Sequence, residues 1–284
     1  MHPHKSSPMD RSVSWLVVPI LLFLAVFYAY PVMSMLWRSI SDPSMSLEHY
    51  RNIFTSATFL RIFLLSFQIA AVVTLISLVL AYPLAYIMAT SSPFISRLLL
   101  ALVLIPFWIS ILVRSYAWMV LLGREGLVNA ILMKIGLIDA PIRLLNTTFA
   151  TYVGMVHVLL PFMVLPLFSV LRSIDRRLLM AADGLGARPF TIFRLIVWPL
   201  SIPGVIAGCL LVFVLSLGFY VTPALLGSSR DLMIAILIGI HVDLFNWGLA
   251  SALATVLLLI TLLIVGVFDR FMNLEKVLGG KNGR

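Results

Sequence analysis

Residues 62–88 of the chain read IFLLSFQIAAVVTLISLVLAYPLAYIM, and none of them is charged. A helix that crosses the hydrocarbon core of a bilayer needs about 20 mostly apolar residues, because each residue advances the helix by about 1.5 Å. The alternating polarity of a strand with one face in water is absent from this run. The segment therefore predicts a transmembrane helix.

Five further runs have the same length and polarity. Together with the first, the six predicted spans cover residues 14–37, 62–88, 98–122, 152–171, 202–221 and 249–268. A membrane β-barrel would instead show segments of about ten residues with alternating polarity. The predicted fold class is an all-α polytopic membrane protein with six transmembrane helices.

The composition excludes a soluble globular domain. Of the 284 residues, 62% are hydrophobic and 11% are charged, and the mean hydropathy is +1.10, whereas soluble domains carry about 25% charged residues. Prolines interrupt several predicted spans, and we expect kinks there, because neighbouring groups must satisfy the backbone atoms that proline leaves unpaired. These prolines are Pro19, Pro31, Pro83, Pro106, Pro161 and Pro166.

The distribution of Lys and Arg predicts the orientation. Of the 20 basic residues, twelve lie on the side that holds both termini, seven lie on the other side, and Arg114 lies within a span. Because basic residues accumulate in cytoplasmic loops, we expect both termini in the cytoplasm. The chain then divides into a cytoplasmic tail (1–13), a transmembrane domain (14–268) with a cytoplasmic loop (172–194), and a cytoplasmic tail (269–284). The first span lacks an A-x-A-like cleavage site and is too long for a signal peptide, so we expect it to be retained.

The sequence lacks the motifs of several enzyme classes. It has no G-x-x-x-x-G-K-[ST] loop, no H-E-x-x-H, no G-x-S-x-G and no Cys and His cluster at metal-ligand spacing. We therefore predict no catalytic residue, no metal site and no cofactor bound by this chain. All eleven acidic residues lie outside the predicted spans, which disfavours an ion-coupled carrier with a carboxylate relay. The net charge of +9 fits the cytoplasmic bias and anionic lipid headgroups rather than nucleic acid.

Polar and aromatic side chains inside the spans are candidates for a substrate path, because such groups are costly in lipid unless they face a cavity or a partner. Arg114 lies about eight residues, or about 12 Å, from the outer end of its span. It lines a cavity or bonds the carbonyls of a broken helix, pairs structurally within a complex, or lies in a span whose boundary is misplaced. Tyr116 and Trp118 are path residues or interface anchors. His157 and Tyr220 can hydrogen-bond a solute, and an interhelical bond also explains His157.

The loop between the fourth and fifth spans has a helical pattern. Residues 178–190 read LLMAADGLGARPF, with apolar residues at helical spacing and Pro189 limiting the helix at its end. Two interpretations are open: an interfacial helix in an ordinary connection, and a helix that docks in a groove of another protein. The arginines around its start contact either lipid headgroups or that partner: Arg172, Arg176 and Arg177.

A second short apolar run lies on the predicted outer side of the membrane, opposite the 172–194 loop. Residues 232–242 are too few to span the membrane and predict a re-entrant or interfacial segment. With Thr222, Pro223 and Gly227 before it, this region is a candidate for an outer gate.

The 178–190 loop resembles the EAA loop of ABC-importer permeases. The family pattern is E-A-A, then Gly, then I-x-L-P, and this chain has Met180-Ala181-Ala182, Gly186 and Ile196-Val197-Trp198-Pro199. Met180 stands in place of the family's Glu, and Trp198 in place of its Leu. Further stretches resemble the spermidine/putrescine branch of the family, in particular the first of its two permeases: RSYAW at 114–118, DAPIR at 139–143, LPFMVLP at 160–166 and PGVIAGC at 203–209.

The resemblance implies the type I permease fold of ABC importers, in the bacterial inner membrane and with both termini cytoplasmic. It implies as partners a second permease subunit, a dimer of ATP-binding-cassette ATPases that alone use ATP, and a periplasmic or extracellular solute-binding protein, besides membrane lipid. The loop helix at 178–189 would couple to the ATPase through Met180, Ala181, Ala182, Asp183, Gly184, Gly186, Arg188 and Pro199.

The solute is a separate question. The branch implies a polyamine such as spermidine or putrescine, but a polycation favours carboxylates or an aromatic cage, and the spans offer aromatic rings and an arginine without an acid. A permease for an amino acid, an opine or another organic anion therefore stays open. Outside the family, the alternatives are a stand-alone carrier and a membrane-embedded enzyme.

Overall fold

A computed structural model describes residues 18–228 and 231–272, and these residues form helices and loops without any strand. The predictions for residues 1–17 and 273–284 lie outside the described residues. In chain order the helices are α1 (Val18–Ser41), α2 (Glu48–Thr55), α3 (Ala57–Thr90), α4 (Pro93–Trp108), α5 (Ile111–Leu122), α6 (Leu127–Lys134), α7 (Thr148–Ser173), α8 (Arg176–Gly184), α9 (Pro189–Leu217), α10 (Val221–Leu226), α11 (Ile234–Asp243) and α12 (Trp247–Met272).

The described helices confirm an all-α fold with up to six apolar spans. Five helices are individually long and apolar enough to cross a membrane, namely α1, α3, α7, α9 and α12. A sixth span is formed only if α4 and the following segment Ile111–Lys134 are taken together, and these two meet at a bend of 98°. The apolar run at 232–242 forms α11, whose 10 residues are too few to span.

The prediction of one continuous helix over 98–122 is wrong. The last residues of α4, Ile105–Trp108, tighten into a 3-10 turn, and Ile109 has an extended backbone. Pro106 lies in this turn, where it removes an N–H donor and its ring clashes with the carbonyl one turn earlier. The helix therefore ends at Trp108, and α5 starts in a new direction at Ile111.

The fifth span begins and ends earlier than the predicted 202–221. The α9 helix starts at Pro189, whose missing N–H would be unpaired at a helix start in any case. Pro199 is accommodated by a π-turn at Phe193–Val197, in which the N–H of Trp198 donates to the carbonyl of Phe193. The helix ends at Leu217, so Tyr220 lies beyond the span.

The described residues within 57–237 and 259–272 form one compact unit, in which α3, α7 and α9 pack against one another. The core between these helices is aliphatic and methionine-rich, as in a helix bundle. Fully buried members include Ile69, Val73, Met155, Met163, Leu167 and Val212.

Two glycines allow α9 to approach α7 closely. A Cβ added to Gly204 would lie 3.1 Å from the carbonyl oxygen of Pro166 and 3.2 Å from the Cα of Leu167. A Cβ added to Gly208 would lie 2.7 Å from the sulfur of Met163. Small residues four positions apart are typical of membrane helices that pack backbone to backbone.

Residues 18–56 and 238–258 belong to the other unit. In its described part, the hydroxyl oxygens of Ser39 and Tyr50 are 2.6 Å apart, and Nε2 of His49 lies 2.9 Å from the carbonyl oxygen of Asp42. The guanidinium of Arg38 lies over the ring of Trp247, 5.7 Å from its centroid. These contacts tie the end of α1 to α2 and to the start of α12.

Candidate functional site

Arg114 lies in the first turn of α5, directly after the break in the third span. It lines an open pocket of about 200 Å³ together with the rings of Phe107, Phe162 and Phe219. Its Nε is buried and has no hydrogen-bond partner among the described residues. Because a buried, unpaired guanidinium nitrogen is costly, we expect an acceptor from outside them. The depth predicted for Arg114 assumed a continuous helix, and the break removes that basis.

Trp118 and His157, two further predicted path residues, are hydrogen-bonded to each other. Trp118 lies one turn after Arg114 on α5, and its Nε1 donates to Nδ1 of His157 on α7 at 3.0 Å. The two rings meet edge to face, with centroids 5.7 Å apart and planes at 77°. Because an indole N–H can only donate, Nδ1 is the acceptor, and the neutral ring carries its proton on Nε2. The interhelical bond joins the broken span to α7.

The short helix α10 packs against the same two helices. The hydroxyl oxygens of Ser115 on α5 and Thr222 on α10 are 3.2 Å apart, and both side chains are buried. Gly154 on α7 allows the close approach, because an added Cβ would collide with the side chains of Leu226 and Thr222. The segment predicted as part of an outer gate is thus fixed to α5 and α7.

Tyr116 and Tyr220 do not join this cluster. Tyr116 lies on another face of α5 and is 56% exposed, and Tyr220 lies in the turn before α10. Within the described ranges, neither side chain has a hydrogen bond or a ring contact. The neighbouring Phe219 lines the pocket instead. A phenylalanine in an apolar run carries no sequence signal for such a role, because it is usually a core residue.

A buried carboxylate near the start of α7 escaped the sequence analysis. Asp231 is 4% exposed. Its Oδ1 accepts a hydrogen bond from Oγ1 of Thr148 at 2.6 Å, and its Oδ2 accepts from the N–H and the hydroxyl of Ser228 at 3.1 and 2.8 Å. The carboxylate therefore fixes the loop before α11 to the first turn of α7. Thr148 is far from Asp231 in the sequence, and only the fold brings the two together. In the sequence, Asp231 therefore looks like any acidic residue of a loop.

The segment 172–194 contains α8. Asp175 caps the start of this helix, because its carboxylate accepts from the N–H of Arg177 at 2.9 Å. The prediction of a loop helix over 178–189 is wrong at its end, since α8 ends at Gly184. Pro189 does not limit this helix but begins the next one.

The turn after α8 is closed by backbone hydrogen bonds. The N–H of Gly186 donates to the carbonyl of Asp183, and the N–H of Ala187 donates to the carbonyl of Ala182. Gly186 has a φ of +80°, in the left-handed region that glycine adopts without a steric penalty. The left-handed turn at Gly186 explains why the helix stops before Pro189.

The surface of α8 and its turn carries apolar and small side chains beside charged ones. Met180 is 64% and Leu185 is 89% exposed, whereas Leu179 packs on the core between α3, α7 and α9. An added Cβ on Gly184 or Gly186 would meet no atom within 4 Å, so packing within the described residues does not require these glycines. Of the other predicted coupling residues, Ala181, Asp183 and Arg188 are exposed, Ala182 is half-buried and Pro199 lies in α9.

An aromatic cluster joins the start of α9 to α3. The hydroxyl oxygens of Tyr82 and Ser201 are 2.9 Å apart. The ring of Tyr82 lies 5.9 Å from that of Phe193 and 5.5 Å from that of Trp198, measured between centroids, and Tyr86 meets Phe193 edge to face at 6.0 Å. The chain that returns from α8 into the span is thereby held against α3.

Comparison with known proteins identifies the family. Residues 81–274 match the family described as "Binding-protein-dependent transport system inner membrane component". The chain belongs to this family of permeases. It is 36% identical over 271 residues to the spermidine/putrescine transport system permease protein PotB of Haemophilus influenzae, which covers 90% of each chain. It is 36% identical over 230 residues to PotB of Escherichia coli K12, which covers 81% of this chain and 83% of the relative.

A solved structure confirms the permease fold. A chain from a bacterial alginate ABC transporter, in complex with an alginate pentasaccharide-bound periplasmic protein, matches with a TM-score of 0.76 at 17% identity, covering 93% of this chain and 96% of that one. At this identity the likeness concerns the fold alone. As a member of the family, the protein is a multi-pass transport subunit of the inner membrane and not an enzyme.

Proposed function

We propose that this permease forms half of the translocation pathway of an ATP-driven importer for a polyamine such as spermidine or putrescine. A second permease forms the other half, a dimer of ATP-binding-cassette ATPases hydrolyses ATP, and a solute-binding protein delivers the solute. The chain itself binds no cofactor. The observation that carries the proposal is the 36% identity over 90% of the chain to a spermidine/putrescine permease.

In this proposal α8 is the coupling helix, and it lies in the cytoplasm with both termini. Five arginines in the 172–194 segment support the orientation. Leu178, Met180 and Leu185 are all exposed on α8 and its turn, and they support docking because a group of exposed apolar side chains outside the spans is typical of an interaction surface.

The packing of the coupling region suggests how movement is transmitted. Closure of the ATPase dimer displaces α8 as a rigid body, since the helix is capped by Asp175 and closed by the turn at Gly186. The aromatic contacts of Tyr82 with Phe193 and Trp198 pass the displacement to α3 and α9. The spans then alternate between states that are open outward and inward.

The broken third span lines the translocation path. Its bend places the guanidinium of Arg114 in an open pocket with Phe107 and Phe162, while Trp118 and His157 fix α5 against α7. Aromatic rings suit the ammonium groups of a polyamine, and acids of the second permease pair with Arg114 and with the solute.

A second candidate solute is a small organic anion or zwitterion. The observation that favours it is the pocket itself, which is lined by Arg114 and by no acid. A guanidinium with an unpaired Nε binds a carboxylate well.

Reconstitution distinguishes the two solutes. The importer with its binding protein is placed in proteoliposomes that contain ATP, and uptake of radiolabelled spermidine, putrescine and glutamate is measured. We expect ATP-dependent uptake of spermidine or putrescine, lowered several-fold by Arg114→Met and not by Arg61→Met, which removes an exposed arginine. Uptake of glutamate alone would favour the anion, and unchanged uptake in Arg114→Met would remove Arg114 from the path.

A further inference from the structure

A pocket of about 360 Å³ lies on the α8 side of the spans. It is walled by the end of α3, the start of α4, the end of α7 and the inner face of α8. Both α3 and α7 are spans, so the pocket lies where two spans leave the membrane. Its volume is in the range of small-molecule sites, about 300–1,000 Å³.

The pocket is lined by two arginines and by no acid. Arg172 follows the core residues of α7, and Arg176 is the first residue of α8. The guanidinium of Arg172 lies over the ring of Phe168, 5.6 Å from its centroid, and this cation-π contact favours that position of the side chain. In the part of the chain that the structure describes, neither guanidinium donates a hydrogen bond or forms an ion pair. Two positive charges thus share one wall without a counter-charge.

The pocket is also lined by hydroxyl groups. Ser91 and Ser92 lie in the connection between α3 and α4, and Ser96 lies one turn into α4. Ser96 is only 6% exposed and lines the pocket. Its hydroxyl has no hydrogen-bond partner among the described residues. Since Ser96 lines the pocket and its oxygen is not among the fully buried side-chain atoms without a partner, the hydroxyl is accessible from the pocket and can donate to an occupant.

We propose that this pocket binds a phosphate group. Guanidinium groups donate paired hydrogen bonds to phosphate oxygens, and serine hydroxyls complete such a site. The phosphate belongs to an anionic lipid headgroup or is free inorganic phosphate, and both carry the same chemistry. Arg172 lies in the last turn of α7 and Arg176 starts α8, so the bound phosphate would hold the coupling helix against the spans.

The inference rests on the cytoplasmic position proposed for α8, and native mass spectrometry tests it on the assembled importer. The complex is stripped of lipid in a neutral detergent and titrated with phosphatidylglycerol or phosphatidylcholine. We expect one phosphatidylglycerol to bind with an affinity that Arg172→Gln/Arg176→Gln lowers by about tenfold or more. Arg177→Gln/Arg194→Gln removes the same charge from the same segment outside the pocket, and we expect it to leave binding unchanged.

Two further measurements identify the source of the phosphate and control for misfolding of the double variant. If inorganic phosphate at millimolar concentration displaces the lipid, the natural occupant is free phosphate. If the lipid stays bound, the occupant is the lipid headgroup. Ala89→Phe fills part of the pocket without changing its charge, and it should weaken lipid binding as well. Equal binding of phosphatidylglycerol by the parent, both double variants and Ala89→Phe would overturn the inference.

The same spectra separate this inference from the coupling proposal. Loss of the lipid with the ATPase still present in the Arg172→Gln/Arg176→Gln complex supports the phosphate site. Loss of the ATPase with the lipid retained shows that the two arginines contact the ATPase instead, which overturns the phosphate site while supporting the coupling role of α8.

Discussion

The hydrogen bond between Trp118 and His157 is the polar contact that joins the broken third span to α7. Arg114 lies one helical turn before Trp118 on α5. The bond holds the imidazole in one orientation and one tautomer. Its role is to position α5, so that the guanidinium of Arg114 stays in the pocket.

A conservative substitution isolates this bond. Trp118→Phe keeps an aromatic ring but leaves Nδ1 of His157 without its donor, which should cost about 1–3 kcal/mol of stability. We expect a lower midpoint of thermal unfolding in detergent for Trp118→Phe. The control is Trp108→Phe, at a side chain that is 91% exposed, and its midpoint should equal that of the parent. Equal midpoints for both variants would show that the bond does not stabilise α5.

The sequence alone predicted part of this site. Arg114, Trp118 and His157 stand out because polar side chains are rare inside spans, and the structure brings them together. Asp231 and Phe219 could not be found in this way. The first is buried by a loop that folds back on α7, and the second becomes a pocket residue only because the third span bends. Both depend on contacts between segments distant in sequence.

At the scale of elements, proline explains the two main departures from the predicted spans. Pro106 breaks the third span, whereas Pro199 is absorbed by a π-turn within α9. A kink was predicted at Pro106, but sequence pattern could not distinguish a kink from a break. The outcome depends on whether neighbouring backbone and helices can satisfy the freed groups.

Close packing of α9 on α7 gives a prediction at this scale. Gly204→Leu places a side chain against the backbone of Pro166 and Leu167, which cannot move aside, and overpacking of this kind costs about 1–3 kcal/mol or more. We expect lower thermal stability and a smaller monodisperse fraction in gel filtration. A Cβ added to Gly266 on α12 would meet no atom within 4 Å, so Gly266→Leu serves as the control. If the two variants behaved alike, the α7–α9 contact would not limit stability.

At the scale of the whole molecule, composition and the length of apolar runs were enough to predict a multi-pass helical protein. The extent of the spans, about 20 residues each, follows from bilayer thickness. The direction of α5 after the break and the end of α8 could not be predicted in the same way. The first depends on tertiary contacts, and the second on the left-handed turn at Gly186.

The orientation can be tested with single cysteines in a chain whose Cys209 is replaced by alanine. Leu185→Cys and Leu137→Cys lie at exposed positions on opposite sides of the proposed topology, 89% and 68% exposed. In intact spheroplasts that express the chain without its ATPase, a membrane-impermeant maleimide should label Leu137→Cys only. After permeabilisation it should label both. Labelling of Leu185→Cys in intact cells would reverse the orientation.

We propose that α8 couples this permease to an ATPase. One matched pair of glycine variants tests this coupling. Gly186 and Gly136 both have left-handed backbones, with φ of +80° and +73°, and a Cβ on either would meet no atom within 4 Å. A tryptophan at either position therefore carries a similar backbone strain of about 1–2 kcal/mol, but only Gly186 lies on the proposed docking surface.

The measurement is affinity purification of the full chain from its native membrane in mild detergent, with the co-purifying proteins identified by mass. We expect an ATP-binding-cassette ATPase and a second permease to co-purify with the parent and with Gly136→Trp. Gly186→Trp should retain the second permease and lose the ATPase. If Gly186→Trp recovered the ATPase at the parent's level and supported normal ATP-dependent uptake, α8 would not be the element that docks on the ATPase.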